Sequence, residues 1–349
     1  MEGYRKALTV WYNHAKRDLP WRNSTDPYHI WVSEVILQQT RIQQGTEYYL
    51  NFLRLFPDVP TLAKASEDEV LKAWQGLGYY SRARNMLHAA KTIQSTYTGV
   101  FPSEYNSIKK LKGIGDYTAA AIASIAFGLP YAVVDGNVYR VLSRLFGIST
   151  PIDSTAGKKE FYQLAQLILD PVRPGDSNQA LMELGAIQCL PGQPLCPDCP
   201  LKTNCYAHTN QCIDSFPVKS KKTKQKERYL NYIYLHHKNT LFLEKRGDKD
   251  IWRNMFQFPV IETNAPTSPE EVMVSKAWED LFKNSSITIK SVYPERIHLL
   301  THQRLHIRFF SVNLNKNSMS GRLIVVKRGE ILKYPVPKPV ENFLLEMGH

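Results

Sequence analysis

Four cysteines within one short stretch constrain the fold of this chain more than any other feature of its sequence. Cys189, Cys196, Cys199 and Cys205 follow the spacing C-x6-C-x2-C-x5-C. Because thiolates are soft ligands, four of them from one loop can each bind one iron of a cubane cluster. Structural zinc also takes four cysteines, but usually as two close pairs, and only one close pair is present here. The spacing therefore predicts one 4Fe-4S cluster, with Cys212 outside the pattern.

The charge of the chain is strongly basic. Lys and Arg number 44 against 32 Asp and Glu, a formal net charge of +12. This balance suits a polyanionic partner, because neutralised phosphates release counterions, although many basic proteins bind no nucleic acid. No apolar run approaches the ~20 residues that span a bilayer, and residues 1–17 lack the apolar stretch of a signal peptide. We therefore expect a cytoplasmic protein (nucleoid-associated if bacterial) with no membrane partner, in which thiols stay reduced.

The residue pattern changes from helical to strand-rich along the chain. Ser66 and Glu69 have the spacing of a capping box, the alanine-rich segment 119–127 favours a helix, and residues 138–145 carry apolar side chains at helical spacing. Residues 229–236, 240–243 and 305–314 have the composition of strands, and residues 276–282 that of one helix. Between these two regions lies a basic run, which we interpret as a solvated linker that can also pass near DNA: Lys219, Lys221, Lys222, Lys224, Lys226 and Arg228.

A chain of 349 residues is too long for one core of ordinary size. We therefore predict a multidomain protein. An all-α domain covers 1–212, with one lobe at about 23–130 and a second formed by 1–22 and 131–212. A basic linker at 213–228 leads to an α/β domain at 229–349.

A short glycine-containing segment, Leu-Lys-Gly-Ile-Gly-Asp-Tyr-Thr-Ala at 111–119, has the form of a helix-hairpin-helix turn. Gly113 and Gly115 allow the backbone to turn tightly, and exposed N–H groups ahead of the next helix can bind a phosphate. Two glycines at this spacing are not specific by themselves, because they often occur at tight turns between helices.

Two carboxylates are candidates for catalysis. Asp135 lies in Asp-Gly-Asn at 135–137, where it or Asn137 could instead be only the N-cap of the next helix. Glu34 lies in Ser-Glu-Val-Ile-Leu-Gln-Gln-Thr at 33–40, and Ile30, Trp31, Leu37 and Gln38 flank it at helical spacing. A largely apolar face would raise the pKa of Glu34 and suit a general acid; a solvated surface charge is the alternative.

The hairpin, the Asp-Gly-Asn segment and the cysteine loop, in this order over most of residues 20–205, resemble the helix-hairpin-helix superfamily of DNA glycosylases. The segment at 33–40, with Leu-Pro-Trp-Arg at 19–22 and Gly-Leu-Gly-Tyr-Tyr-Ser at 76–81, resembles its MutY branch, the adenine glycosylases. Strand-cutting members of the superfamily, such as endonuclease III, carry a lysine two residues after the second hairpin glycine, which forms a Schiff base. Tyr117 occupies that position here, so we predict a monofunctional glycosylase.

The resemblance implies a role for each candidate residue. Glu34 protonates the leaving adenine, Asp135 stabilises the sugar cation with Asn137 orienting it, and Tyr117 lies against Asp135 and the sugar. Two of these residues also have simpler interpretations: Tyr79 as a core residue and Lys202 as an ordinary solvated lysine. The implied adenine pocket comprises Trp21, Arg22, Leu37 and Glu183, and the implied DNA contacts are Gln39 and Tyr79 inside the duplex and Gly113, Gly115 and Lys202 at the backbone.

The C-terminal region also carries a resemblance. Ile-Trp-Arg-Asn-Met-Phe-Gln-Phe-Pro-Val at 251–260 resembles the MutT-like (Nudix) domain that ends MutY proteins. That fold usually holds magnesium on a glutamate-rich helix, but residues 270–281 show no such array, so we expect recognition without catalytic magnesium or a nucleotide cofactor. Where the family has Phe-Ser-His for 8-oxoguanine, this chain has Leu300, Thr301 and His302. A hydroxyl and an imidazole are retained for hydrogen bonding, although His302 could also be an ordinary strand-end histidine.

The prediction is thus a monomeric enzyme that flips out and excises adenine opposite 8-oxoguanine (or guanine) in double-stranded DNA. One alternative is an endonuclease III-like glycosylase and lyase for oxidised pyrimidines, which Tyr117 and the C-terminal domain disfavour. Another is a non-catalytic iron–sulfur protein that binds DNA, which the presence of both Glu34 and Asp135 disfavours. A nucleotide pyrophosphatase would lack its metal carboxylates.

Overall fold

The computed structural model of the chain describes residues 1–220, 225–283, 285–315 and 323–349. Residues 221–224 of the predicted linker, among them Lys221, Lys222 and Lys224, therefore lie outside the described residues. The chain divides into two compact units: a helical unit formed by Met1–Ala65 and Asn85–Lys221, and a sheet unit formed by Ser66–Arg84 and Lys222–His349.

The helices of the described chain follow the predicted change of pattern. They are α1 (Glu2–Ala15), α2 (Pro27–Leu37), α3 (Ile42–Leu55), α4 (Val59–Lys64), α5 (Glu67–Ala73), α6 (Ser81–Thr96), α7 (Tyr105–Lys109), α8 (Asp116–Phe127), α9 (Gly136–Phe146), α10 (Thr155–Ile168), α11 (Pro174–Glu183), α12 (Tyr206–Thr209), α13 (Pro269–Met273), α14 (Lys276–Phe282) and α15 (Lys338–Glu346).

The core of the helical unit forms where the sequence predicted amphipathic helices. α9 buries Val138, Val141, Leu142 and Leu145, the residues with helical spacing, in a cluster shared with α1, α10 and α11. α8 is buried along its alanine-rich segment, and because these side chains are small, α2, α7 and α11 can pack closely against it. α2, α8, α9 and α11 carry the residues of the candidate site.

The sheet unit contains a mixed sheet, as the strand-like runs predicted. Its order is β3-β2-β1-β7-β5, with β4 beside β1, β6 beside β7 and β8 beside β2. The β1–β7 pair is parallel and the other pairs are antiparallel. The strands are β1 (Lys226–His237), β2 (Thr240–Lys245), β3 (Phe256–Gln257), β4 (Val260–Thr263), β5 (Ile287–Val292), β6 (Arg296–Leu299), β7 (Gln303–Leu314) and β8 (Ile324–Lys327).

The sheet unit includes a helical segment from far upstream in the sequence. Ser66 and Glu69 form the predicted capping box at the start of α5. Asn254 donates to Glu67 at 2.7 Å, and Gln75 donates to Glu341 at 2.6 Å. The sequence-based division assigns residues 66–84 to the hairpin lobe, but they pack with the C-terminal residues. No local sequence pattern predicts the hydrogen bonds that join them.

The end of the predicted basic linker is part of the sheet. β1 begins at Lys226, and Arg228 is only 8% exposed. The Arg228 guanidinium forms ion pairs of 2.6 Å with both Asp250 and Glu262. Pairing with two carboxylates explains how a cation of the basic run is buried rather than solvated.

No helix in the described ranges is both long enough and apolar enough to cross a membrane.

Candidate active site

A cavity of about 610 Å³ in the helical unit collects many of the residues singled out in the sequence. Its walls come from α2, the first turn of α8, the start of α9 and the end of α11. The predicted residues that line this cavity are Trp21, Arg22, Glu34, Leu37, Gln39, Tyr117, Asp135, Asn137 and Glu183.

Glu34 lies on α2, whose residues from Ile30 to Ile36 are all buried. Burial disfavours the charged form of the side chain, and the nearby Asp135 disfavours a second negative charge. Burial, chiefly, and this repulsion raise the pKa of Glu34 to about 7, against a smaller opposing effect of a hydrogen bond from Tyr117. The predicted apolar environment of Glu34 is therefore confirmed, and the carboxyl can hold a proton near neutral pH.

Tyr117 stands in the first turn of α8, directly after the hairpin. Its hydroxyl donates to Glu34 Oε2 at 2.5 Å and lies 3.8 Å from the sulfur of Met182. Burial, together with the carboxylates of Glu34 and Asp135, raises the pKa of Tyr117 well above its ordinary value. The hydroxyl thus stays protonated and bonds to Glu34, in the cavity that Asp135 also lines.

Asp135 is both the N-cap of α9 and a wall of the cavity. Its Oδ1 accepts from the Val138 N–H at 2.7 Å, and its Oδ2 accepts from the Asn137 amide at 2.8 Å. Burial raises the pKa of Asp135, and the two hydrogen bonds oppose that rise because they favour the ionised form. The two alternatives for this residue are therefore compatible: capping fixes the carboxylate in place.

Arg140 connects Asn137 to the cysteine loop. Its Nη2 donates to Asn137 Oδ1 at 2.8 Å and to the Gly185 carbonyl at 2.7 Å, while its Nε donates to the Cys189 carbonyl at 2.7 Å. Sequence reasoning missed this residue, although its position three residues after Asn137 on a helix was a usable signal.

Glu183, at the end of α11, is held as an anion. Its carboxylate accepts from Arg17 at 2.6 and 2.8 Å and from Arg22 at 2.7 and 3.0 Å. Burial would raise the pKa of Glu183, but the hydrogen bonds from both guanidinium groups lower it to about 2. Sequence reasoning missed Arg17; its only signal was its place five residues before Arg22.

The two predicted intercalating residues share an unusual backbone conformation. Gln39 has φ +60° and Tyr79 has φ +48°, the left-handed region that non-glycine residues seldom adopt. Both side chains are exposed. Gln39 belongs to the helical unit and Tyr79 to the sheet unit. Backbone conformations of this kind are often found at functional sites.

The hairpin between α7 and α8 requires one of its glycines on steric grounds. Gly113 has φ +82°, and a Cβ there would lie 2.6 Å from the Cβ of Asn85. Gly115 is the N-cap of α8 with φ −95° and open space around it. Both residues are exposed, so the backbone at the start of α8 is accessible to a ligand.

The four clustered cysteines line one small cavity together with Arg144. All are free thiols. Arg144 Nη1 donates to Cys189 Sγ at 3.4 Å, and backbone N–H groups of Leu201 and of residues 207–208 bond to Cys199 and Cys205. Within the described part of the chain, no three or more His, Cys, Asp or Glu side chains are grouped to hold a single metal ion. Lys202, in the same loop, is exposed and donates to the Pro197 carbonyl at 2.5 Å.

The residues predicted to recognise the lesion form the turn between β6 and β7. Thr301 and His302 are exposed and Leu300 is half-buried. The Leu300 N–H donates to the Gln303 carbonyl at 2.8 Å, and the His302 carbonyl accepts from the Lys226 N–H at 2.9 Å. The Thr301 hydroxyl is hydrogen-bonded to the hydroxyl of Tyr79. Within the sheet unit, the structure therefore brings a predicted intercalating residue to the predicted lesion loop.

Comparison with known proteins identifies two matching families. Residues 32–167 match the HhH-GPD superfamily of base excision DNA repair proteins, and residues 231–346 match the NUDIX domain. The solved structure of a thermostable thymine-DNA glycosylase aligns with a TM-score of 0.56 at 29% identity, over 60% of this chain and 96% of that one. An endonuclease III trapped on DNA aligns with a TM-score of 0.52 at 21% identity, over 59% and 94% of the two chains, a likeness of fold alone. The predicted fold class is confirmed.

A relative covers nearly the whole sequence. The adenine DNA glycosylase of Buchnera aphidicola subsp. Baizongia pistaciae is 36% identical over 322 residues, which are 90% of this chain and 88% of that protein. The match extends through both units, and the predicted resemblance is confirmed. The chain therefore belongs to the adenine DNA glycosylase family.

Proposed function

We propose that this enzyme hydrolyses the N-glycosidic bond of adenine that lies opposite 8-oxoguanine in duplex DNA, without cutting the strand. The observation that carries the proposal is one cavity that holds a protonatable Glu34 and an oriented Asp135, with Tyr117 where a lyase would have lysine. The name of the curated relatives supports adenine as the excised base.

The first step is the activation of the leaving base. Adenine leaves slowly as an anion, so a proton must reach it as the bond breaks. Glu34, with a pKa near 7, can deliver that proton at neutral pH. Removal of the base leaves positive charge on the sugar, and the fixed Asp135 carboxylate can stabilise this charge or trap the sugar covalently until water attacks.

Tyr117 determines which reactions are open after the base has left. A phenol cannot form an imine with the sugar, so the route by which lyases cut the strand is closed. Its hydroxyl instead bonds to Glu34 at 2.5 Å and fixes the orientation of the acid.

The part of the cavity wall formed by Arg17, Arg22 and Glu183 serves recognition in this proposal. Arg17 and Arg22 hold Glu183 through short hydrogen bonds, so none of the three is free to rotate. A rigid arrangement of donors and acceptors can select a base by its hydrogen-bonding edge. Trp21 and Leu37 provide apolar surface beside it.

DNA must be distorted before Glu34 can act, because a base inside the stack is out of reach. Gln39 and Tyr79 are both exposed, so each side chain is suited to enter a duplex, which offsets part of the unstacking cost. The open backbone at Gly113 and Gly115 can receive a phosphate, and Lys202 can approach another. The net charge of +12 supports this partner and predicts that affinity falls steeply with salt.

Recognition of 8-oxoguanine is proposed for the β6–β7 turn. Thr301 offers a hydroxyl already paired with Tyr79, and the exposed His302 offers an imidazole. Leu300 is half-buried and cannot stack as an aromatic ring would. Thr301→Ala should therefore lower the preference for 8-oxoguanine over guanine, measured as the ratio of single-turnover rates; an unchanged ratio would move recognition elsewhere.

We also propose that the four clustered cysteines hold a 4Fe-4S cluster. In such a cluster each thiolate binds a different iron. The four thiols here surround a shared cavity and are not grouped to hold a single metal ion, which fits this arrangement. The N–H groups directed at Cys199 and Cys205, and the Arg144 guanidinium at Cys189, would stabilise the ionised sulfurs. When bound, the cluster would brace the loop that carries Lys202.

Cys212 provides a matched control for the cluster. The native protein should contain about four irons per chain. Cys199→Ser should lose iron, whereas Cys212→Ser should keep the native content because Cys212 lies outside the cavity. Stoichiometric zinc in place of iron would contradict the assignment.

One gel assay tests the proposed activity. A labelled duplex with adenine opposite 8-oxoguanine is incubated with the native protein and then analysed with and without hot alkali. We expect strand breaks only after alkali, since the enzyme leaves an abasic site. Breaks without alkali would indicate a lyase, and no product from this duplex together with cleavage at oxidised pyrimidines would identify an endonuclease III-like activity.

A further inference from the structure

We propose that the helical unit has a second binding site, beside the catalytic cavity, that takes a single nucleotide without reacting with it. A separate cavity of about 590 Å³ lies between the start of α8 and the start of α10. Its volume is in the range of small-molecule sites. The walls combine tyrosine rings with two lysines, which is the chemistry that binds a nucleobase and its phosphate.

The aromatic side chains of this second cavity are held by their neighbours. Tyr105 is stacked on Tyr131 with ring centroids 4.1 Å apart and planes 10° from parallel. Tyr139 packs edge-on against Phe161 at 5.1 Å. Tyr162, by contrast, is 39% exposed in the wall of a cavity. Fixed rings lose little entropy when a base stacks on them, and an exposed ring is available to cover it.

The charges in the second cavity favour an anion. Lys158 and Lys159 are exposed, and neither forms an ion pair with any residue that the structure describes. Asp116 is the carboxylate of the cavity and would repel a phosphate. However, Lys109 forms an ion pair with Asp116, and the Tyr105 hydroxyl donates to it at 3.1 Å. Lys158 and Lys159, which form no ion pair with a described residue, therefore give the second cavity a positive charge.

The position of the second cavity connects it to the catalytic one. Tyr117, Val134 and Tyr139 line both. A nucleotide held there would lie next to the group bound at Glu34, yet neither Glu34 nor Asp135 lines the second cavity. Such a ligand would therefore be bound and not cleaved. It could come from an unpaired nucleotide of the bound strand or from a free mononucleotide.

Calorimetric titration of the native protein with adenosine 5′-monophosphate tests this site. We expect saturable binding that Lys158→Ala with Lys159→Ala weakens by about tenfold, and that Tyr162→Ala also weakens. Lys6→Ala with Lys91→Ala, which removes two exposed lysines elsewhere in the helical unit, should leave the affinity unchanged. Equal affinities for the native protein and the Lys158 and Lys159 double variant would overturn the proposal, as would an absence of binding.

Two further probes define the ligand. Inorganic phosphate should bind more weakly than the nucleotide, and equally tight binding would reduce the site to an anion site and overturn the proposal. A short thymidine oligonucleotide separates the two sources. Tighter binding of the strand than of the mononucleotide would assign the site to DNA, and weaker binding would assign it to a free nucleotide. Because these titrations do not involve base excision, their failure would leave the proposed catalytic function untouched.

Discussion

Two buried glutamates line the same cavity and differ in charge. Glu34 is 9% exposed and Glu183 is 1% exposed. The pKa of Glu34 is raised to about 7, because apolar burial is opposed only by one hydrogen bond from Tyr117. The pKa of Glu183 is lowered to about 2, because two arginines oppose the same burial. The cavity thus has a wall that can supply a proton and a wall that stays an anion.

The difference between the two walls shows that burial alone does not decide the protonation of a carboxyl. Removal of water costs the charged form at both positions, and the partners decide the outcome. Separation of the pKa values of two carboxyls is a common way to assign an acid and a fixed charge in one site. On this basis we propose that Glu34 is the acid and that Glu183 is a positioning group.

The largest expected effect is at Glu34, the proposed proton donor. Glu34→Gln keeps the shape of the side chain but has no acidic proton. We expect it to bind the lesion duplex normally while adenine release falls by about 10²–10⁴-fold or more. Single-turnover rates measured beside a binding titration will separate the two properties.

A matched control is Glu47→Gln, which makes the same change on α3 at an exposed glutamate outside the cavity. It should retain the native rate. Near-normal release by Glu34→Gln would remove the acid from the mechanism even if the family assignment stands.

A second large effect is expected at Asp135. Asp135→Asn keeps a polar group at the N-cap but loses the charge that we propose stabilises the sugar, so the rate should fall by about 10²–10³-fold. Because the two carboxyls act on one bond, the double variant with Glu34→Gln should be little slower than the slower single variant. Independent, multiplicative losses would show that the two groups do not act together.

A change at Glu183 should lower the stability of the protein. Glu183→Gln leaves two partly buried guanidinium groups without a counter-charge, so the free energy of unfolding should drop by about 3 kcal/mol. Glu34→Gln, which removes no ion pair, should show no such loss in the same denaturant titration. A stable Glu183→Gln variant would mean that the arginines find other partners.

A smaller effect is expected at Tyr117, the residue that donates a hydrogen bond to Glu34. Tyr117→Phe removes the hydrogen bond that lowers the pKa of Glu34, so that pKa should rise further. The basic limb of the pH–rate profile should then move to higher pH. A limb that moves to lower pH would mean that the hydroxyl favours the protonated acid.

The sequence predicted the features that rest on local pattern. Helical spacing around Glu34 indicated its apolar environment, and the apolar residues of α9 and the capping box of α5 appear as predicted. The pairing of Arg17 with Glu183 joins residues 166 positions apart, and no periodicity encodes it. The same holds for residues 66–84, which join the sheet unit through Gln75 and Glu67.

Arg228 illustrates a different limit of sequence analysis. A run of basic residues indicates a solvated segment, and nothing in the run itself distinguishes its last member. Arg228 is buried because Asp250 and Glu262 are brought to it by the folding of the sheet unit. Charges that are neutralised by distant partners are therefore read wrongly from local composition.

The pH dependence of base release tests the central claim, that Glu34 acts as a protonated acid, most directly. A carboxyl with its pKa raised to about 7 is protonated below that pH and loses its proton above it. The single-turnover rate of the native enzyme on the lesion duplex should therefore fall as pH rises through about 7, approaching a tenfold loss per unit. The limb should be absent from the residual activity of Glu34→Gln. A native rate that stays constant from pH 6 to about pH 9 would contradict the account, because the group that donates the proton would then not be Glu34.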